Sequence, residues 1–317
     1  MDDNVRDVWL DCDPGHDDAL AIILAGYDKL LNLLGVSTVA GNQVVEKVTL
    51  NALGTLTASG LSSIEIHGES GLEFAEGGSM QDYAVGSPLP QKAVMLMFER
   101  ISAQFAKRGR PVCLVCTGAL TNAALLLLLY PEVIPMIEVV LMGGCIGSGN
   151  TGPVVEFNMQ TDPEAAKVVF EAGVRSLTMV PLEVTHTALA TPAVLLRIAQ
   201  RQTPFLQLMQ KLLLFFAQTY KEVFNFEHPP LHDPLAVFYV ACPSAFTVRR
   251  MRVDIETCST LSAGQTVCDI HRRQNALPEN ASVALTVDVE KFWDSMIAAI
   301  LKADMLSPLN ISSNNIA

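Results

Sequence analysis

Short apolar runs alternate with amphipathic segments along most of this 317-residue chain. Five runs of strand length end in small or polar residues, and they cover residues 8–13, 33–40, 112–117, 139–143 and 177–182. The segments between them have helical periodicity and predict crossover helices at residues 17–25, 44–59, 93–107, 121–129 and 163–172. This alternation is typical of an α/β fold with a mostly parallel central sheet flanked by helices.

The later part of the chain predicts a helical stretch, three strands and a final helix, at residues 192–224, 248–256, 266–270, 281–287 and from Glu290 onward. No linker divides the sequence, so we predict a single domain over residues 1–303. Ser, Asn and Pro accumulate near the end of the chain, which predicts a disordered tail at residues 304–317. Residues 62–91 interrupt the alternation with five Gly and no Lys or Arg, and such long irregular segments are commonly functional, so we predict a lid there.

Composition narrows the range of partners. Asp and Glu number 33 against 21 Lys and Arg, and the net charge of -12 argues against binding to nucleic acid phosphates. No apolar run approaches the roughly 20 residues that span a bilayer, and the acidic N-terminus does not resemble a secretory signal. Seven scattered cysteines do not form a disulfide framework. We therefore expect a cytoplasmic protein with reduced cysteines, no membrane contact and no nucleic acid partner.

Cys113 and Cys116 have the one cysteine spacing that suggests a metal site. They lie three positions apart in a predicted strand, so their side chains are expected on opposite faces of the sheet. We therefore do not expect them to share a metal ion.

Four carboxylates lie at the junction of the first strand and the first helix: Asp11, Asp13, Asp17 and Asp18. Pro14 supplies a turn, and a helix N-terminus favours two of the four negative charges. Four carboxylates at one strand end repel one another by a few kcal/mol at an effective dielectric constant of about 20, so a bound cation is expected. Oxygen ligands without clustered Cys or His indicate Ca²⁺ or Mg²⁺.

Polar residues also follow the other predicted strands. Because the carboxyl ends of parallel strands meet at one edge of a sheet, these residues are expected to contribute to one site. They occur in the segments at residues 40–42, 116–118, 142–144, 149–150, 154–158 and 231–234.

This combination resembles the nucleoside hydrolase family of the inosine-uridine type, which cleaves ribose from nucleobases. The resemblance extends from about residue 8 to about residue 293 and rests on several motifs in the family's order. They are residues 11–18, 40–43, 117–122, 141–144, 149–150, 156–158, 162–165, 185–186 and 232–234.

The resemblance implies the site residues. The Ca²⁺ ligands would be Asp13, Asp18, Asp233 and the carbonyl of Thr117, with two further positions left to water and the ribose hydroxyls. Ribose would be bound by Asp17, Asn42, Asn150, Glu156 and Asn158, with Met142 against the sugar. His67 would lie near the substrate, Tyr220 would cover the base, and His232 would protonate or orient the leaving base. The expected partner is a small ribonucleoside, and family members tend to form homodimers or homotetramers.

The chemistry agrees with this assignment. Breaking a ribosyl C–N bond builds positive charge on the sugar, which an acidic pocket stabilises. Asp13 would act as the general base that takes a proton from the attacking water, and His232 would assist the leaving base. The expected reaction is a single displacement that serves nucleoside salvage, with Ca²⁺ preferred over Mg²⁺ as the cofactor.

The sequence departs from the family pattern at two places. Between Asn51 and His67 it is shorter by about a strand and a loop, so we expect an edge strand to be missing. Phe216 also stands where the family has a second tyrosine on the helix that covers the base.

Two alternatives remain open. Asp11 and Asp13 after a strand are similar to the start of a haloacid dehalogenase phosphatase, although Gly15 stands where that fold needs Thr or Val. A catalytically silent ribose-binding or nucleoside-binding homologue would also explain the short region before His67. His186 is interpreted as a core histidine and is left outside the site.

Overall fold

The strands and helices follow the predicted alternation closely. The computed structural model describes residues 4–67, 83–273 and 277–312. Its strands are β1 Arg6–Cys12, β2 Leu31–Thr38, β3 Ile66–His67, β4 Val112–Cys116, β5 Ile137–Met142, β6 Leu177–Val180, β7 Phe246–Met251, β8 Val253–Ile255, β9 Thr266–Cys268 and β10 Ala281–Val287. Its helices are α1 His16–Tyr27, α2 Val45–Ala58, α3 Ala93–Arg108, α4 Thr121–Leu129, α5 Phe157–Thr161, α6 Pro163–Glu171, α7 Leu182–Thr185, α8 Pro192–Ile198, α9 Pro204–Phe224, α10 Asp233–Ala241, α11 Val289–Leu306 and α12 Pro308–Ser312.

Eight of the strands form one sheet in the order β3-β2-β1-β4-β5-β6-β10-β7. Seven run parallel, and β7 pairs antiparallel with β10 at one edge. The prediction of a mostly parallel sheet is therefore confirmed. All of the parallel strands end at the same edge, which is where ligands bind in open α/β sheets.

Two buried cores cover the two faces of the sheet. In β1, Val8 and Leu10 pack into the core on the α1 side, whereas Trp9 packs into the core on the α3 side. In β4, Cys113 belongs to the first core and Cys116 to the second, so these thiols lie on opposite faces as expected. Helix α1 is buried almost all round because α2, α10 and α11 pack around it.

The strand predicted at residues 248–256 is instead two strands. Strand β7 stays in the main sheet, whereas β8 leaves it and pairs with β9. The Asn280 side chain accepts a hydrogen bond from the Val253 N–H and donates one to its carbonyl, both at 2.8 Å. These bonds satisfy the Val253 backbone outside the main sheet, which the alternation of apolar residues alone does not reveal.

The expected disordered tail from residue 304 is wrong for residues 304–312. Helix α11 continues to Leu306 and α12 follows it. Buried Asp304 accepts hydrogen bonds from the Thr203 hydroxyl and from the Asn310 amide, and the Ser307 hydroxyl donates to the Ala58 carbonyl at 2.6 Å. These contacts hold the segment against distant parts of the chain. Residues 313–317 lie outside the described residues.

The edge strand expected to be missing is present as the two-residue strand β3. It pairs in parallel with β2, with Ile66 opposite Val36 and His67 opposite Ser37. Of the predicted lid at residues 62–91, residues 68–82 lie outside the described part of the chain.

Candidate active site

A cavity of about 220 Å³ opens at the carboxyl ends of the parallel strands. Residues that follow β1, β2, β4 and β5 contribute to its walls, together with the N-terminal end of α10 and one face of α9. It is lined by Asp13, Asp17, Asn42, Thr117, Met142, Asn150, Thr151, Glu156, Phe157, Asn158, Phe216, Tyr220, His232 and Asp233. Among the described residues, this lining contains four carboxylates and neither Lys nor Arg.

Three carboxylates converge at the floor of this cavity. Asp17 and Asp18 lie in the first turn of α1, and Asp233 is the first residue of α10. One oxygen atom from each lies within 4.8 Å of the others, and all three side chains are buried. The Thr117 hydroxyl donates to Asp18 at 2.8 Å. The junction of these two helix N-termini with the sheet thus concentrates negative charge away from water.

Asp13 lies between two glycines that leave room for its carboxylate. A Cβ atom at Gly118 would lie 2.6 Å from Asp13 Oδ1, and one at Gly41 would collide with Oδ2. The backbone N–H of Asn42 donates to Asp13 Oδ2 at 2.6 Å, and the Asn42 side-chain amide donates to the Asp13 carbonyl at 3.0 Å. The Asp13 carboxylate is therefore fixed in one position on the cavity wall.

Burial raises the pKa of each of these carboxyl groups, and for Asp13, Asp18 and Asp233 the neighbouring carboxylates raise it further. Burial and the nearby charge of Asp17 raise the pKa of Asp18 to about 7. For Asp13 and Asp233 burial raises the pKa well above the ordinary value, and repulsion from Asp18 and Asp17 adds to it. A hard divalent cation would offset this repulsion, and the donors in the cluster are all oxygen atoms, so the residues fit such a cation. The three carboxylates that lie closest together include Asp17, whereas the predicted cation ligands include Asp13 in its place.

Without a divalent cation, the protein is expected to lose stability as pH rises from about 4 to about 7. Burial raises the pKa of Asp18 and of Glu156 to about 7, so the folded protein holds protons that the unfolded chain releases near pH 4. Stability from these groups is full below the unfolded pKa and is lost as pH rises through the folded pKa. A bound cation replaces the protons and should flatten or reverse this slope.

Unfolding temperatures measured between pH 5 and pH 8, with chelator and with added Ca²⁺, check this expectation. The Ca²⁺-dependent increase should be larger at pH 8 than at pH 5. Parallel pH curves in the two conditions would contradict it.

Glu156 and Asn158 build another part of the cavity wall. Glu156 caps α5, accepting from the N–H of Asn158 at 2.9 Å and, through its other oxygen, from that of Gly144 at 2.8 Å. The Asn158 amide donates to the carbonyls of Thr117 at 2.9 Å and Met142 at 3.1 Å. The carbonyl of Thr117, named as a cation ligand, is thereby oriented at the end of β4.

Aromatic side chains form the remaining side of the cavity. Phe216 and Tyr220 lie one turn apart on α9 and pack edge to face, with ring centroids 4.7 Å apart. His232 lies at the N-terminal end of α10, but its side chain makes no capping bond. Its Nε2 lies 2.6 Å from the Tyr220 hydroxyl and its Nδ1 lies 2.7 Å from the Thr185 hydroxyl. Burial lowers the pKa of His232 to about 3, so the ring is neutral at pH 7.

The structure brings nearly all of the predicted site residues to this one cavity. Asp18 lies behind the lining in the acidic cluster, and His67 is the last residue of β3, with a side chain outside the described part of the structure. Asp11 does not line the cavity. Its Oδ1 accepts hydrogen bonds from the Ser37 hydroxyl at 2.5 Å and the Asn122 amide at 2.9 Å.

Sequence reasoning gave no site role to four residues at or beside the cavity, although residues 185–186 are part of the family resemblance and His186 is interpreted as a core histidine. Thr151 and Phe157 line it, whereas Thr185 bonds to His232 and His186 packs against the His232 ring at 5.5 Å. Thr185 and His186 follow β6 along the chain, so the rule that ligands bind beyond the carboxyl ends of strands could have indicated them.

Comparison with known proteins agrees with this geometry. The model of the family described as inosine-uridine preferring nucleoside hydrolase matches residues 8–294. The chain belongs to this family. The expected class of enzyme, a ribonucleoside hydrolase, is thereby confirmed, and neither the phosphatase nor the silent homologue is favoured.

Individual relatives of this nucleoside hydrolase match over nearly their whole length. The "probable ribonucleoside hydrolase" of Dictyostelium discoideum is 44% identical, with 95% of this chain and 96% of that protein aligned. The inosine-uridine preferring nucleoside hydrolase of Leishmania major is 38% identical over 93% of this chain and 97% of that protein.

A solved structure shares the fold. The purine-preferring ribonucleoside hydrolase from Gardnerella vaginalis superimposes with a TM-score of 0.83 at 24% identity, covering 95% of this chain and all of that chain. In the described residues of the present structure, no helix is both long and apolar enough to cross a membrane.

Proposed function

We propose that this enzyme hydrolyses the N-glycosidic bond of ribonucleosides to ribose and free base, with Ca²⁺ in the acidic cluster and Asp13 as the general base. One observation carries the proposal: a buried, fixed carboxylate lines the same cavity as two of the three clustered carboxylates. Relatives named as ribonucleoside hydrolases support the class of substrate.

The proposed Ca²⁺ ligands are Asp13, Asp18, Asp233 and the carbonyl of Thr117. The all-oxygen donor set and the mutual repulsion of the carboxylates support a hard cation at this position. When bound, Ca²⁺ lowers the pKa of a coordinated water and offers further positions to ribose hydroxyls.

The sugar side of the cavity suits a cationic transition state. As the C–N bond breaks, the ribosyl ring gains positive charge, and the carboxylates around it stabilise that charge. Asp13 takes the proton of the attacking water as its oxygen bonds to the sugar carbon. We assign ribose binding to Asp17, Asn42, Asn150, Glu156 and Asn158, with Met142 packed against the sugar.

The base side supplies hydrogen-bond donors to the leaving group. The bonding electrons of the C–N bond pass to the base nitrogen, which takes up a proton from the hydrogen-bonded pair Tyr220 and His232. The proton that Asp13 removed from water returns to solvent, and the pair Tyr220 and His232 regains a proton from solvent, so the sum of the steps is addition of one water. Tyr220 covers the base, and we place His67 near the substrate on the strength of the family resemblance.

We further propose a cytoplasmic role in nucleoside salvage, and a homodimer or homotetramer. All seven cysteines are free, which fits a reducing compartment. The oligomer rests on the family resemblance alone.

Assays of the purified protein with inosine, uridine and p-nitrophenyl phosphate, each with and without chelator, test the proposal. We expect ribose release from inosine or uridine, loss of that activity with chelator, and recovery with Ca²⁺ to a greater extent than with Mg²⁺. Phosphate release from the nitrophenyl ester, or binding of nucleoside without hydrolysis, would overturn it.

A further inference from the structure

A hydrogen-bonded chain runs from the interior of the protein to the base side of the cavity. It begins at Thr185, the last residue of α7, which is fully buried and does not line the cavity. The chain passes through His232 and ends at Tyr220, with contacts of 2.7 Å and 2.6 Å at the two ring nitrogens. Both of the latter residues line the cavity, so Thr185 reaches the site only through His232.

The direction of this chain depends on which ring nitrogen of His232 carries the hydrogen. The single hydrogen of the Thr185 hydroxyl has two acceptors available, the Leu182 carbonyl at 3.3 Å and His232 Nδ1 at 2.7 Å. The Nδ1 contact is the shorter one and has the usual length of a hydroxyl hydrogen bond, so the hydrogen is assigned to Nδ1. An Nδ1–H that donates to the Thr185 oxygen would have the same length, and the ring NMR described below distinguishes the two tautomers. A neutral imidazole that accepts at Nδ1 carries its own hydrogen on Nε2. In this tautomer that hydrogen is donated to the Tyr220 oxygen, and the hydrogen of Tyr220 is directed away from the ring.

The residue that follows Thr185 also fixes the orientation of the His232 ring. His186, the residue after Thr185, packs edge-on against His232 with ring centroids 5.5 Å apart and an angle of 69° between the planes. Phe226 also packs against His186, with ring centroids 5.1 Å apart. Rotation of the His232 ring would therefore break a hydrogen bond and an aromatic contact together.

We propose that Thr185 is a positioning residue for departure of the base: its hydroxyl keeps the hydrogen of His232 on Nε2, so that the donor end of the chain, at Tyr220, faces the leaving group. This inference rests on the proposed function and adds a residue that never touches the substrate. It predicts that the Thr185 hydroxyl matters only for substrates whose base needs a hydrogen-bond donor to leave.

The experiment compares Thr185→Val, which keeps the shape and removes the hydroxyl, with Thr185→Ser, which keeps the hydroxyl. On inosine or uridine we expect Thr185→Val to lower kcat about tenfold with little change in KM. The reason is that the variant loses the buried hydrogen bond between position 185 and His232. On p-nitrophenyl riboside, whose leaving group carries its own charge, the same variant should stay within about twofold of the wild type. Thr185→Ser should recover most of the rate on the nucleoside.

Thr187→Val is the matched control. It is the same substitution two residues along the chain, at an exposed position where the hydroxyl donates to the Val184 carbonyl. Its rates on both substrates should equal those of the wild type. If Thr185→Val does not fold, Thr185→Ala carries the same expectation.

Nitrogen-15 NMR of the His232 ring gives a second readout that does not depend on turnover. In the wild type we expect a protonated Nε2 and an unprotonated Nδ1, and in Thr185→Val a mixture of the two tautomers. Equal losses on nucleoside and nitrophenyl riboside, no loss on either, or an unchanged NMR signature in Thr185→Val would overturn the inference. A wild type that hydrolyses no nucleoside but shows the expected NMR change would overturn the proposed function while leaving the tautomer assignment standing.

Discussion

Replacing Asp13 by Asn is expected to lower kcat by about two to four orders of magnitude, because an amide cannot take the proton of the attacking water. The side chains have the same shape, and the space between Gly41 and Gly118 accommodates either one. The amide oxygen of Asn can still accept the hydrogen bond from the Asn42 backbone. Ribose release at saturating nucleoside measures the effect, and the unfolding temperature shows whether the fold is retained.

Asp11→Asn is the matched control for this experiment. Asp11 lies two residues earlier on β1 and is equally buried, but it bonds to Ser37 and Asn122 and does not line the cavity. Its substitution should cost less than about tenfold in kcat. Activity of Asp13→Asn above a tenth of the wild-type value would refute the assignment of the general base. A larger loss for Asp11→Asn than for Asp13→Asn would instead favour the phosphatase alternative, in which Asp11 is the first aspartate of the motif.

The parallel sheet could be predicted because each of its strands has a recognisable pattern within its own short segment of sequence. Strands buried on both faces are continuous apolar runs, and β4 and residues 139–142 of β5 are of this kind. Each run ends where polar residues begin, since the carboxyl edge of the sheet lines a cavity. The same local pattern located Asn42, Thr117 and Asp13, because their places follow directly from where a strand stops.

Elements stabilised by distant partners could not be predicted in this way. The separation of β7 from β8 depends on Asn280, which lies 27 residues after Val253 and satisfies its backbone. The order of residues 304–312 depends on Thr203 and Ala58, which are far away in the sequence. Polar composition alone predicts a tail there, because composition carries no information about which partner a polar group meets.

Within the site, the closely spaced aspartates show the same contrast between what local pattern predicts and what depends on distant partners. The motif of closely spaced aspartates identifies the place, yet alternation along β1 did not separate the roles of Asp11 and Asp13. Asp11 points into a hydrogen-bonded pocket with Ser37, whereas Asp13 lies just beyond the last residue of β1 and faces the cavity. A difference of two positions at a strand end therefore decides between a structural and a functional carboxylate.

Replacing His232 by Ala is expected to lower kcat on inosine by about 10²-fold or more and to change the rate on p-nitrophenyl riboside very little. A hypoxanthine base leaves poorly unless a donor stabilises the charge that it gains, and His232 lies at the base side of the cavity, hydrogen-bonded to Tyr220. The nitrophenolate group carries its own charge, so it needs no donor. The alternative that His232 only caps α10 disagrees with the structure, since its side chain makes no capping bond.

Rates of His232→Ala on the two substrates, measured together with those of His228→Ala, decide the matter. His228 lies four residues earlier and is not among the residues that line the cavity, so its variant should match the wild type on both. A large loss confined to inosine supports a donor role for His232. Equal losses on both substrates would mean that the ring only shapes the pocket. The donor would then have to be sought at Tyr220, whose pKa is raised above its ordinary value by burial and by nearby carboxylates, or at His67.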